Sequence, residues 1–155
     1  MFLTGLALLP AIALVVWKHP AFNYKFDAIV YCVTSALGFA AIENILYCLG
    51  GDIGTAVTRA LLSVPSHAID GMIMGYFFGV AKEAELAGNK KRRKRYLKLS
   101  VFMPMIEHEH GIYDSALSLD ADWIFVFFFL FVIVVDVWAY KFVKKQSGQD
   151  RELSA

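Results

Sequence analysis

Three residues in this chain are of the types that could share one piece of chemistry: Glu43, His67 and His110. A carboxylate and two imidazoles take up, release and direct protons near neutral pH, and they are ordinary oxygen and nitrogen ligands of a catalytic metal. Each sits inside an apolar run. An ionisable side chain there costs at least about 2.5–3.5 kcal/mol on insertion into a bilayer, so such residues face a bundle interior and usually carry function. Depth groups the three. Counted along a helix, Glu43 lies about 10 Å before Gly50, His67 about 12 Å after Arg59, and His110 about 13 Å before Leu119. Three helices thus bring a carboxylate and two imidazoles to one level in the outer half of a membrane.

Their neighbours support the grouping. Phe39, Glu43 and Tyr47 recur at i, i+4 and i+8, and the adjacent Asn44 could orient a carboxylate or a water. His67, Gly71, Gly75 and Gly79 step by four along one stripe, which lets another backbone approach closely and places His67 at a helix interface; Asp70 follows at i+3. Glu107, His110 and Asp114 fall on one face at i, i+3 and i+7, while His108 and Glu109 point elsewhere and read as structural. The HEH triplet is not the zinc motif H-E-x-x-H, because its histidines cannot share a helix face. An intramembrane histidine taken alone is as often an interhelical hydrogen-bonding residue, and a glycine stripe is more often packing than chemistry.

The elements that must position these residues are apolar spans. Hydrophobic residues make up 58% of the 155, against roughly 45–50% apolar in a soluble domain. Five runs stand out, at 1–17, 28–49, 60–81, 96–119 and 121–143, each long enough or nearly so to cross a bilayer. They lack the alternation of strands, so the expected fold is an all-α, polytopic membrane helix bundle of about five helices. It forms a single domain over 1–145 with a flexible polar tail at 146–155. The connectors fall at 18–27, 50–59, 82–98 and 118–122.

Charge orients the bundle. The net charge of +1 selects no partner, but the distribution does. With the basic connector 82–98 in the cytoplasm, fourteen of the fifteen Lys and Arg residues fall inside and only Arg59 outside, which places the C-terminus in the cytoplasm. The KKRRKR run then reads as a topology determinant touching anionic lipid, and no nucleic-acid partner is expected. Asp136 reads as a pairing residue of the last span, and the aromatic block 125–131 as a lipid-facing surface.

The segments ALGFAAIENILY (36–47), RALLSVPSHAIDGMIMGYFFGVAK (59–82) and EHGIYD (109–114) closely resemble the PrsW family of intramembrane proteases, itself similar to the CAAX-type and bacteriocin-processing membrane proteases. The resemblance matches Phe39 and Glu43 to an F-x-x-x-E motif, His67 to the histidine of an S-x-P-x-H block, and His110 and Asp114 to an H-x-x-x-D element. It implies an endopeptidase of a bacterial-type plasma (inner) membrane. The implied substrate is a single-pass membrane protein, such as an anti-sigma factor, cut near the outer face. The family's Glu-Glu-x-x-Lys motif is absent; Met1 and Thr4 stand about where its second Glu and its Lys would fall. The chain also opens inside an apolar run without a signal peptide's basic flank. Both features predict further sequence upstream and bear on whether this stretch is active alone.

Two chemical routes stay open. In one, Glu43, His67 and His110 ligate Zn²⁺, with Asp70 or Asp114 orienting an imidazole. In the other, Glu43 activates water without a metal and the histidines stabilise the oxyanion. A proton-coupled transporter and an inactive membrane scaffold are the rival readings.

Overall fold

The computed structural model describes residues 12–107 and 122–153. They are helical almost throughout, and among them the sole β-type pairing is an isolated bridge between Tyr24 and Glu152. After a helical stretch at 12–16, helix α1 spans Asp27–Gly50, α2 Ile53–Thr58, α3 Val64–Leu86, α4 Lys90–Glu107 and α5 Asp122–Gly148. Among the described residues one helix, α1, is long and apolar enough to cross a membrane. At 24 residues it reaches about 36 Å, more than a hydrocarbon core of about 30 Å.

Two of the expected connectors, 50–59 and 82–98, are shorter than the sequence predicts. The expected loop 50–59 contracts to the turn at Gly51 and Asp52, because the helix restarts at Ile53. From there α2 passes into a π-helical turn, Arg59–Ser63, and on into α3 without a break. The wider turn sits just before Pro65 in the first turn of α3. Proline offers no N–H to the preceding turn and its ring crowds the carbonyl behind it, so the chain accommodates it by widening. The expected connector 82–98 contracts likewise to residues 87–89. Its Lys, Arg, Glu and Ala are strong helix formers, so α3 and α4 extend into it from both sides. Gly88, at φ +67°, ends α3: Gly88 N–H donates to Glu85 O at 2.9 Å and Asn89 N–H to Ala84 O at 2.8 Å. Asn89 Oδ1 then accepts from Arg92 N–H at 2.9 Å and opens α4. Pro104 lies inside α4, which continues to Glu107.

Helices α1 and α3 form the central pair. A Cβ on Gly75 would lie 2.5 Å from Ile29 Cα and 2.6 Å from Ala28 O; one on Gly71 would lie 2.7 Å from Val33 Cα. The predicted glycine stripe is therefore a backbone-to-backbone seam. Toward the basic end of the bundle, Ile12, Phe22, Ala28, Cys32, Met74 and Phe78 form a core that Trp17 closes edge-on against Phe78. Residues 149–153, expected to be a free polar tail, run along the segment before α1. Leu153 N–H donates to Asn23 O at 2.7 Å, and Asp150 Oδ1 accepts from Phe26 N–H at 2.9 Å. The aromatic block of α5 is exposed where it is described, at Phe127, Phe129 and Phe131.

Candidate active site

Glu43 lies on the seventeenth residue of α1, well past the glycine seam, and His67 on the first turn of α3. Both are buried, 6% and 5% exposed. The seam fixes the spacing of the two helices, and the site lies beyond its open end. There Glu43 Oε2 and His67 Nε2 meet at 3.1 Å. Phe39, one turn from Glu43, packs edge-on to the imidazole with ring centroids 5.8 Å apart. His67 thus touches both Glu43 and Phe39, which the sequence pattern places on one face of α1.

The fourth member was not foreseen. Arg59, from the start of the π-helical turn, reaches back to α1 and places Nη2 2.7 Å from Glu43 Oε2. Its Nε donates to Asn44 Oδ1 at 2.8 Å, its Nη2 to Ser63 Oγ at 3.3 Å, and its guanidinium lies 3.9 Å from the centre of the Tyr47 ring. Asn44 therefore orients the arginine directly and the carboxylate through it. The sequence did hold one signal. Arg59 is the lone basic residue on the side that topology leaves bare of them, and a charge that breaks the pattern beside a buried acid has a partner.

Asp70 lies on α3 one turn beyond His67 and is half-buried. Glu107 is the last residue of α4, and its side chain lies outside the described set. His110, Asp114, His108 and Glu109 also lie outside the described residues. Among the described residues, no group of three His, Cys, Asp or Glu side chains is gathered to hold a metal.

The donor types suit zinc, and Glu43 Oε2 and His67 Nε2, 3.1 Å apart, are spaced as two ligands of one ion would be; His110, the third candidate, lies outside the described residues. A carboxylate only accepts, so the Glu43–His67 bond requires the proton on Nε2, which turns that nitrogen's ligating lone pair into a donor. The facing oxygen already takes a guanidinium and an imidazole. As folded, the pair is a carboxylate held by two donors.

The whole stretch from residue 6 to 140 matches the model of the PrsW family of intramembrane metalloproteases. The chain belongs to the PrsW family. It is 47% identical over 103 residues to a protein named Protease PrsW from Halalkalibacterium halodurans, covering 66% of this chain and 45% of that one. The protein of the same name from Bacillus subtilis is 40% identical over 110 residues, covering 71% and 48%. That from Clostridioides difficile is 35% identical over 123 residues, covering 77% and 48%. The chain spans about half the length of these curated relatives. No solved structure matches it. Membership in a family of intramembrane metalloproteases makes this a membrane protein, and Glu43, His67 and Arg59 all lie within the matched region.

Proposed function

We propose that the chain forms the reactive part of an intramembrane endopeptidase that cleaves a single-pass membrane protein near the outer face of a bacterial-type plasma membrane. An anti-sigma factor is one such substrate. The observation that carries this reading is the buried contact of Glu43 with His67 across two helices, between residues that the family's motif blocks contain. In the proposed topology five spans cross the bilayer, the turn after α1 lies outside and the C-terminus in the cytoplasm.

Peptide hydrolysis in a membrane needs a base for water and donors for the oxyanion. Glu43 supplies the base. Its carboxylate is already fixed by Arg59 and His67, so no side-chain ordering is left for the reacting state. His67 Nε2–H, released as Glu43 takes the water's proton, would then be the donor to the negative charge developing on the scissile carbonyl oxygen. Low exposure strengthens both interactions. His110, matched to the family's third block, is the further imidazole of this scheme, and Asp114 its orienting carboxylate. Zinc held by Glu43, His67 and His110 would require Arg59 to withdraw from Oε2 and the His67 Nε2 proton to leave.

The test is cleavage of a tagged single-pass substrate co-expressed with the chain. Glu43→Ala and His110→Ala are each expected to lower cleavage by about 100-fold or more while the protein still accumulates and remains helical in detergent. Normal cleavage by either variant overturns the assignment. The Arg59–Glu43 pair also suits a scaffold in which polar residues only tie helices together, and loss of expression in both variants with no cleavage by the parent would favour it.

A further inference from the structure

The fold divides the basic run that opens α4. Arg93 turns onto α3, where its Nη1 lies 3.0 Å from Glu85 Oε1, and Arg92 stands 5.6 Å from the centre of the Tyr96 ring. Lys91, Lys94, Arg95 and Lys98, at i, i+3, i+4 and i+7, stay exposed on one face. With Leu99 and Phe102 they line a shallow groove of about 400 Å³. Four like charges within about 10 Å of helix repel one another. The acids of α3 do not relieve them, because Glu83 takes Lys25 and Arg151 while Glu85 takes Lys82 and Arg93. Among the described residues no ion pair neutralises the four. Below Lys98 the same face turns apolar, and Phe102 is 55% exposed.

We propose that this groove is a discrete site for one anionic phospholipid, with the headgroup phosphate among Lys91, Lys94, Arg95 and Lys98 and an acyl chain laid over Leu99 and Phe102. The charge calls for an anion, and the apolar lower end calls for an anion that carries a hydrocarbon body. Long basic side chains suit that junction, since their stems lie along apolar matter while their heads meet phosphate. The site is narrower than the basic run. Diffuse attraction to an anionic surface would weigh every Lys and Arg alike, whereas the groove uses four of them and leaves out Lys90, Arg92 and Arg93. The inference goes beyond the protease reading and does not depend on it, since Glu43 and His67 take no part.

The full chain in a nonionic detergent is titrated with dioleoylphosphatidylglycerol, and bound lipid is counted by native mass spectrometry. The first molecule is expected to bind at least about tenfold more tightly than dioleoylphosphatidylcholine, which has the same chains and no net charge. The double variant Lys94→Gln, Arg95→Gln should lose that preference by about tenfold or more. The double variant Lys90→Gln, Arg92→Gln removes the same charge outside the groove and should stay within about twofold of the parent. Equal binding of the two lipids, or equal loss in the two double variants, overturns the proposal. Inorganic phosphate in about tenfold excess over the lipid should not displace it; displacement would make this a plain phosphate site and overturn the proposal as well. A second measurement needs no variant. In nanodiscs of dioleoylphosphatidylglycerol, Lys94 and Lys98 of the parent chain should be shielded from an amine-acylating reagent relative to nanodiscs of dioleoylphosphatidylcholine, and Lys90 should not. Shielding shared equally by Lys90 overturns it. Cleavage is read in neither arm, so loss of the protease reading leaves the lipid site standing and loss of the lipid site leaves the protease reading standing.

Discussion

Four side chains converge on the Arg59 guanidinium, and none is dispensable in the same way. Asn44 Oδ1 loses its donor if Arg59 moves, and Arg59 Nε loses its acceptor if Asn44 is replaced. Asn44→Leu is expected to cost about 1–2 kcal/mol of unfolding free energy, because it leaves a poorly exposed charged donor without a partner. Tyr47→Leu should cost about 0.5–1 kcal/mol from the ring–guanidinium contact. The double variant should lose less than the two together, since both act on one guanidinium. Denaturant unfolding in detergent, followed by helical circular dichroism, measures all three; strict additivity would mean that the two residues do not share Arg59. Ser63→Ala, at a longer 3.3 Å, should cost less than Asn44→Leu. At this scale the sequence was readable where polarity is expensive. Glu43 and His67 stand out because apolar neighbours surround them. Arg59 does not, because it lies sixteen residues from Glu43 at the edge of the next helix, and its reach back to α1 follows no periodicity.

The seam between α1 and α3 is the element-scale counterpart. Gly75→Ala forces a methyl group against the Ile29 and Ala28 backbone, where no flexible side chain can yield. It is expected to destabilise the protein by about 1–3 kcal/mol through overpacking. Gly38→Ala, on α1 with nothing within 4 Å, should be neutral or slightly stabilising. Thermal unfolding of the two single variants in detergent decides it, and equal melting temperatures would remove the seam's claimed role. The stripe was legible from its spacing of four. The helix ends were not, because hydropathy registers where apolar residues stop and helices do not stop there. Charged residues of high helical propensity carry α3 to Leu86 and start α4 at Lys90. The real punctuation, Gly88 followed by Asn89, was present in the chain but is short against the charge run that contains it.

Across the whole molecule, polar contacts at the basic end gather distant parts of the chain. Glu83 on α3 receives Lys25 at 2.9 Å from the segment before α1 and Arg151 at 2.7 Å from the tail. Partial burial pushes its carboxyl up, but the bonds and charges of Arg151 and Lys25 outweigh that and hold it below its ordinary 4.5. The folded group therefore binds its proton less readily than the unfolded one. The stabilisation is fully present above 4.5 and is lost as pH falls through the lower folded value. Tail docking, read as protection of the Leu153 N–H from hydrogen exchange, should weaken in that acid range, and Glu83→Gln should remove the pH dependence. The proposed orientation is checked by thiol labelling. Cys48, exposed near the end of α1, should react with an impermeant maleimide added to intact spheroplasts, and buried Cys32 should not. A cysteine at Lys94→Cys should react only after permeabilisation. The reverse pattern would invert the topology.

The close approach of α1 and α3 also bears on how a peptide could reach Glu43. Two helices whose backbones touch have no side-chain layer between them to rearrange, so parting them forfeits the contact outright. That flank is a fixed wall. If the proposed protease brings a transmembrane segment to Glu43, that segment comes from another quarter of the bundle, because the chain's own glycines foreclose this one.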